Sequence, residues 1–210
     1  MGSFIEDGAV VLFQGDSITD AGRNRADEDH LGGGYAMMAA SWFQALYPEK
    51  NVRFINRGIS GNRTKDLRAR WQPDCLDLQP SVVSILIGIN DTWRRYDSGD
   101  ATSTQAYEAA YCAILEGTKA HLNARLILCE PFVLPVPQDR YAWREDLDPK
   151  IAVVRRLARE FNALLVPFDG IFAQASTQRE PGFWAADGVH PSPAGHALMA
   201  QAWLRTVKAI

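Results

Sequence analysis

The chain has 210 residues, 47% of them hydrophobic and 22% charged, with a net charge of −3, which suits one domain (1–210) with its own buried core. No lysine- or arginine-rich block stands out, which excludes nucleic acid as the main partner, because phosphate neutralisation needs clustered cations. No run reaches the length of a membrane span, and the first residues have neither the basic region nor the apolar stretch of a signal peptide.

In chain order, apolar β-rich runs predict strands over 9–14, 51–56, 81–87, 124–129 and 163–168. Between them, helical patterns cover 34–47, 64–79 with a break at Pro73, 102–122, 147–162 and 192–207. The last helix has a clear start, with Ser192 as N-cap and Pro193 at the first helical position. This alternation predicts a mostly parallel sheet covered by helices on both faces. The segment 131–146, with prolines at 131, 135 and 137, is the longest irregular stretch, and loops of that size commonly form lids or binding walls. The short basic clusters Arg68–Arg70 and Arg155–Arg156 read as solvated helix faces. Cys75, Cys112 and Cys129 are widely spaced and form no CxxC pair, so buried free thiols in a reducing, cytoplasmic setting are expected.

Four segments carry chemistry. Gly15-Asp16-Ser17-Ile18-Thr19-Asp20 directly follows the first strand, at the sheet edge where open α/β folds bind ligands. By itself Ser17 also reads as a helix cap or turn former. Asn56-Arg57-Gly58-Ile59-Ser60-Gly61-Asn62 follows the second strand, and its glycines allow backbone N–H groups to approach an oxyanion. Gly88-Ile89-Asn90-Asp91 follows the third, where the Asn90 carboxamide offers a neutral donor; an isolated Asn-Asp here also fits an Asx turn. Asp187-Gly188-Val189-His190-Pro191 precedes the last helix and pairs a histidine with a carboxylate three residues earlier. A histidine that deprotonates serine needs its tautomer held by such a partner. His30 reads as solvated, His121 as a helix C-terminal charge, and His196 as helix interior. The Gly-x-Ser-x-Gly elbow is absent, and no histidine spacing suits a metal, so neither a metal nor another cofactor is expected.

Together the four blocks resemble the SGNH (GDSL-type) hydrolase family, over almost the whole chain and in the family's order. The resemblance implies an α/β fold: a three-layer α/β/α sandwich with a five-stranded parallel sheet, flavodoxin-like. It implies Ser17 as nucleophile, Asp187 and His190 as its partners, and an oxyanion hole from Ser17, Gly61 and Asn90, with Gly58 as the alternative glycine. A narrower resemblance, carried by residues 15–20, 66–71 and 87–96, is to intracellular bacterial esterases that deacetylate xylo-oligosaccharides. It implies a small-molecule ester substrate, an acetylated oligosaccharide, and a homo-oligomer that no residue pattern demands. Trp71, Trp93, Tyr96 and Trp184 lie near the blocks and could offer ring faces to a sugar, although a chain with six tryptophans also buries some of them. The same site would serve a lysophospholipase, an acyl-thioesterase or an arylesterase. A non-catalytic carbohydrate-binding protein would have lost a catalytic residue, and none is lost.

Overall fold

The computed structural model describes residues 3–210. Five parallel strands, β1 (Val10–Gly15), β2 (Arg53–Asn56), β3 (Val82–Leu86), β4 (Arg125–Cys129) and β5 (Leu164–Val166), lie in the order β2-β1-β3-β4-β5. Each expected strand is present; β1 is shifted by one residue at the same length, and the other four are one to three residues shorter where their flanks turn away. The helices are α1 (Ser17–Asp20), α2 (Tyr35–Leu46), α3 (Thr64–Ala69), α4 (Trp71–Asp74), α5 (Ile89–Asp97), α6 (Thr104–His121), α7 (Arg144–Glu160), α8 (Phe168–Ala175), α9 (Pro181–Trp184) and α10 (Pro193–Thr206).

Alternation along the buried strands divides the core in two. Val11 and Phe13 face one side, with Tyr35, Phe43, Met199 and Trp203; Leu12, Ile55, Val83 and Ile85 face the other, with Tyr107, Tyr111 and Leu157. Thus α2, α8 and α10 cover one face, and α3, α6 and the second half of α7 cover the other. Two polar groups on the first side satisfy each other: the Trp203 indole N–H donates to Ser84 Oγ at 3.0 Å, a bond that lets a polar strand residue stay buried.

The strand order sets the position of the site. From β1 the chain crosses outward to β2, then returns past β1 to β3, so connections leave β1 and β3 in opposite directions. The crevice between their carboxyl ends is the switch point of a doubly wound sheet. Ser17 follows β1 and Asn90 follows β3, so the two blocks form opposite walls of that crevice.

Several elements depart from the sequence expectation. The helix over 64–79 breaks at Arg70 and Cys75, not at Pro73, because Pro73 lies in the first turn of α4, where its missing N–H has no intrahelical acceptor to lose. The helix expected from 147 begins at Arg144, preceded by a 3₁₀ helix over Gln138–Trp143 inside the stretch read as irregular. Helices α1, α5, α8 and α9 were not expected; all are nine residues or shorter, too brief for periodicity to register. Cys75 and Cys129 are buried and Cys112 half-buried, all free, and burial pushes the first two thiols up to about 12. Among the described residues no helix is long and apolar enough to cross a membrane.

Candidate active site

Asp16 caps α1 by accepting the Ile18 N–H at 3.0 Å, which fixes the turn and leaves Ser17 at the first helical position with a backbone N–H that has no intrahelical acceptor. Ser17 Oγ lies 2.9 Å from His190 Nε2, across 173 residues of sequence. The other ring nitrogen, Nδ1, lies 2.7 Å from Asp187 Oδ2. Asp187 Oδ1 accepts the backbone N–H groups of Val189 at 3.0 Å and His190 at 2.7 Å, so one carboxylate holds both the turn and the ring. Burial pushes the Asp187 carboxyl up, but the bonds from the His190 ring and the two N–H groups outweigh it and hold it below the ordinary value. The turn itself is clasped by the 131–137 loop. The Leu134 N–H donates to Gly188 O at 2.8 Å, and Gly188, at φ +80°, sits where a Cβ would strike the carbonyl oxygens of Leu134 and Val136.

On the facing wall, Asn90 is buried and donates one amide hydrogen to Asn62 O at 3.1 Å, leaving the second free. This bond also brings Gly61 beside Asn90. The glycine alternatives separate here. Gly58 packs so tightly on α1 that a Cβ would lie 2.3 Å from Asp20 N, and its N–H is taken by Asn56 Oδ1 at 2.8 Å. Gly61, at φ +82°, has open space around it and, among the described residues, no acceptor for its N–H. Only Gly61 has a donor to spare.

Arg70, read from sequence as solvated, ties this wall together. It donates to Asn62 Oδ1 at 2.8 Å, Gln14 Oε1 at 3.0 Å, Asp74 Oδ2 at 2.9 Å and Gly15 O at 3.2 Å, linking the end of β1 to the Gly61–Asn62 loop. Behind it, Asp91 accepts from Thr64 N at 3.0 Å and Thr64 Oγ1 at 2.8 Å. Burial raises the Asp16 carboxyl to about 7 and that of Asp91 to about 6, against the pull of their hydrogen bonds.

The aromatic candidates divide. Asn90, Trp93 and Tyr96 are spaced three apart on α5 and so share one helix face. The Trp93 ring lies 5.9 Å from the His190 ring and 5.3 Å from Trp143. Tyr96 stacks on Trp143 at 5.2 Å and donates to Ala142 O at 3.1 Å, so it braces the wall from behind. Trp71 is not part of the site: it is buried against α6 with its indole N–H on Thr118 Oγ1 at 3.0 Å, because α4 turns its apolar face into the core. Trp184 is also displaced, since its indole N–H reaches back to Ala175 O at 3.2 Å and Arg179 O at 3.3 Å and closes the end of α8. Sequence reading missed Trp143 and Arg140, whose guanidinium lies 4.1 Å from the Trp143 ring centroid and 5.3 Å from that of Trp93. The only signal for either was the irregular 131–146 segment itself.

Residues 13–198 match the GDSL-like Lipase/Acylhydrolase family. The acetylxylan esterase of Geobacillus stearothermophilus is 38% identical over 97% of this chain and 95% of its own. The crystal structure of that enzyme, Axe2, aligns with TM-score 0.90 at 39% identity over 97% of this chain and 95% of its own. Axe2 variants with a serine or a histidine replaced by alanine, described as catalytic mutants, align equally well, with TM-score 0.90. A putative GDSL-like lipase from Parabacteroides merdae aligns with TM-score 0.92 at 37% identity, covering 98% of both chains. An α/β hydrolase from the Lake Arreo metagenome, LAE5, aligns with TM-score 0.91 at 32% identity over 99% of this chain and 98% of its own. The chain is an esterase of the GDSL-like lipase/acylhydrolase family.

Proposed function

We propose that the protein removes acetyl groups from xylo-oligosaccharides through a Ser17–His190–Asp187 triad. The observation that carries this reading is the unbroken line of hydrogen-bond contacts from Ser17 Oγ through both ring nitrogens of His190 to Asp187. His190 Nε2 takes the Ser17 proton as Oγ attacks the ester carbonyl; Asp187 holds the Nδ1–H tautomer and stabilises the imidazolium. The carbonyl oxygen, now an oxyanion, meets the Ser17 N–H, the Gly61 N–H and the free hydrogen of Asn90 Nδ2. These neutral donors are held before the charge develops, so little reorganisation is needed when it does. His190 returns its proton to the departing sugar oxygen, leaving acetyl-Ser17. It then activates water to release acetate and restore the serine.

Likeness to Axe2 over nearly the whole chain supports the acetyl-xylan assignment. The Trp93 ring beside His190, backed by the buried Trp143 and flanked by Arg140, supports a short acyl group on a polar alcohol. Bulky rings and a cation leave little room for a long alkyl chain, and each methylene left unburied forgoes about 0.8 kcal/mol. The test is a series of p-nitrophenyl esters from acetate to laurate, run beside acetylated xylo-oligosaccharides. Activity is expected to fall steeply by octanoate, and acetate release from the oligosaccharides to be efficient. Higher kcat/KM on long-chain esters or acyl thioesters than on acetate would replace this reading with a lipid or thioester one.

A further inference from the structure

The chain that follows β2 is hydrogen-bonded residue by residue until it reaches Gly61. The N–H groups of Arg57 and Ile59 donate to Phe13 O and Gly15 O of β1 at 2.8 and 3.1 Å, and that of Gly58 donates to Asn56 Oδ1 at 2.8 Å. At Ser60 the partner changes from β1 to α1: its N–H and its hydroxyl both donate to Asp20 Oδ2, at 3.0 and 3.2 Å. Asp20 is the last residue of α1, three positions after Ser17, and is 3% exposed. We propose that Asp20 is a positioning residue for the oxyanion hole: its carboxylate grips Ser60 and thereby holds the Gly61 N–H in place relative to the Ser17 N–H. This rests on the reading of Ser17, Gly61 and Asn90 as the donor set, and adds the group that sets the spacing of two of them.

The Asn62 N–H donates to Ile59 O at 3.1 Å and closes a turn whose two central residues are Ser60 and Gly61. That bond ties the ends of the turn, whereas the donor lies in its middle. Ser60 and Gly61 are both exposed, and Gly61 has no side chain to pack. Among the described residues, the two bonds to Asp20 are the only hydrogen bonds made by either residue. A donor serves an oxyanion only from the position it already holds when the charge develops, so the tie to Asp20 bears directly on the chemistry. The carboxylate suits this task. Burial pushes the Asp20 carboxyl up, but the bonds from Arg25 and Ser60 outweigh it and hold it below the ordinary value. It is therefore ionised at neutral pH and accepts the stronger, charge-assisted kind of bond. Its other oxygen accepts the Arg23 N–H at 3.2 Å, which fixes the rotation of the carboxylate itself. Arg25 also reaches Oδ2, at 2.8 Å, but its side chain is 53% exposed, and an ion pair of that kind contributes little.

The test uses p-nitrophenyl acetate, so that its result does not depend on the sugar, together with phenylboronic acid, whose tetrahedral adduct on Ser17 places an oxygen among the donors and so mimics the transition state. Asp20→Ala is expected to lower kcat by about 10–10²-fold with KM within about twofold, and to weaken boronate inhibition in step with kcat/KM. Asp20→Asn, which keeps one acceptor oxygen, is expected to recover part of both losses. Ser60→Ala removes only the hydroxyl bond and is expected to cost about threefold in kcat, again with a matching loss of boronate affinity. Arg25→Ala removes only the ion pair and is expected to stay within about twofold of the wild type. A folded Asp20→Ala with unchanged kcat overturns the role, and so does a lowered kcat with boronate affinity intact. An Arg25→Ala loss as large as that of Asp20→Ala overturns it in favour of the ion pair. If Asp20→Ala does not fold, Ser60→Ala decides, since unchanged kcat and boronate affinity there are equally fatal. Should the Asp20 results hold while the wild type releases no acetate from acetylated xylo-oligosaccharides, the positioning role stands and the proposed substrate falls.

Discussion

The two halves of the proposed active site are built from different material. The nucleophile half is dry behind the exposed Gly61 and is cross-braced: Asp16, Asn90 and Asp91 are at most 3% exposed, and Arg70 ties the end of β1 to the Gly61–Asn62 loop. The base half is wet: the side chains of His190 and Asp187 are 46% and 43% exposed, and one backbone bond, from Leu134 N–H to Gly188 O, ties their turn to the 131–137 loop. The difference matches the work proposed for each half. Stabilising an oxyanion requires dipoles fixed in advance in a low-dielectric pocket, whereas a histidine that must shuttle protons and activate water needs solvent within reach. Losses on the dry side should therefore cost transition-state stabilisation outright, while losses on the wet side should be partly cushioned by water.

The largest effect belongs to the atom shared by both halves. Ser17→Ala is expected to keep the melting temperature of the wild type and to lose kcat on p-nitrophenyl acetate by about 10⁵-fold or more. Residual turnover near the wild-type rate would show Ser17 to be structural. On the dry side, Asn90→Ala is expected to lower kcat by about 10²–10³ with little change in KM, because its donor is needed chiefly when the oxyanion forms. A raised KM with unchanged kcat would place Asn90 in ground-state binding instead. Asp187→Asn probes the wet side. In a buried triad this change costs about 10⁴ in kcat through the wrong tautomer; here, with the pair half in solvent, a loss of about 10² is expected. A loss as large as in a buried triad would remove the contrast between the halves.

Acid stability sharpens the comparison from another direction. His196 of α10 accepts the Tyr35 N–H at 3.1 Å, which caps α2 only while the ring nitrogen is unprotonated. Burial, then the charge of His190, lowers its pKa from 6.5 to about 4. The folded state thus binds fewer protons than the unfolded chain, so the stability from this contact is complete above pH 6.5 and is lost as pH falls toward 4. Thermal melts of His196→Gln, whose carboxamide oxygen can accept the same N–H, are expected to fall less over that window than those of the wild type. Identical pH profiles would show that the contact carries no linkage. Asp16 acts with the opposite sign: raised to about 7, it contributes stability at low pH that is lost as pH rises through 7. The smallest effect is reserved for Trp71. Trp71→Phe removes its bond to Thr118 and is expected to cost about 1–2 kcal/mol in chemical denaturation while leaving turnover of acetylated sugars intact. A selective rise in KM for those sugars would return Trp71 to the binding surface.

Much of this architecture was legible before any coordinate. The five strands are buried on both faces, so each reads as an apolar run whatever packs against it, and the order of the four blocks around them carried the family. Short helices were not legible. Helix α5 bears Asn90, Trp93 and Tyr96 on one face, yet its nine residues are mostly polar and begin in what reads as a turn. Arg70 looked solvated because the acceptors that bury it lie in Gln14, Gly15 and Asn62, eight or more positions away.

By itself, then, the sequence determined the parallel α/β framework and the kinds of chemical groups at its carboxyl edge, because those follow from local burial patterns and residue identity. Only the tertiary structure decided which of those groups meet. That Gly61 rather than Gly58 keeps a free N–H depends on Asn56, whose Oδ1 takes the Gly58 N–H while its amide is held by Thr19 O and Leu31 O from distant segments. That Trp93 faces the histidine while Trp71 enters the core and Trp184 closes α8 depends on how three separate helices rotate as they pack. Arg140 and Trp143 join the wall because the 131–143 segment folds back over α5. Such choices are made by contacts between distant segments, and local periodicity, which records only whether a side chain is buried, does not say against what.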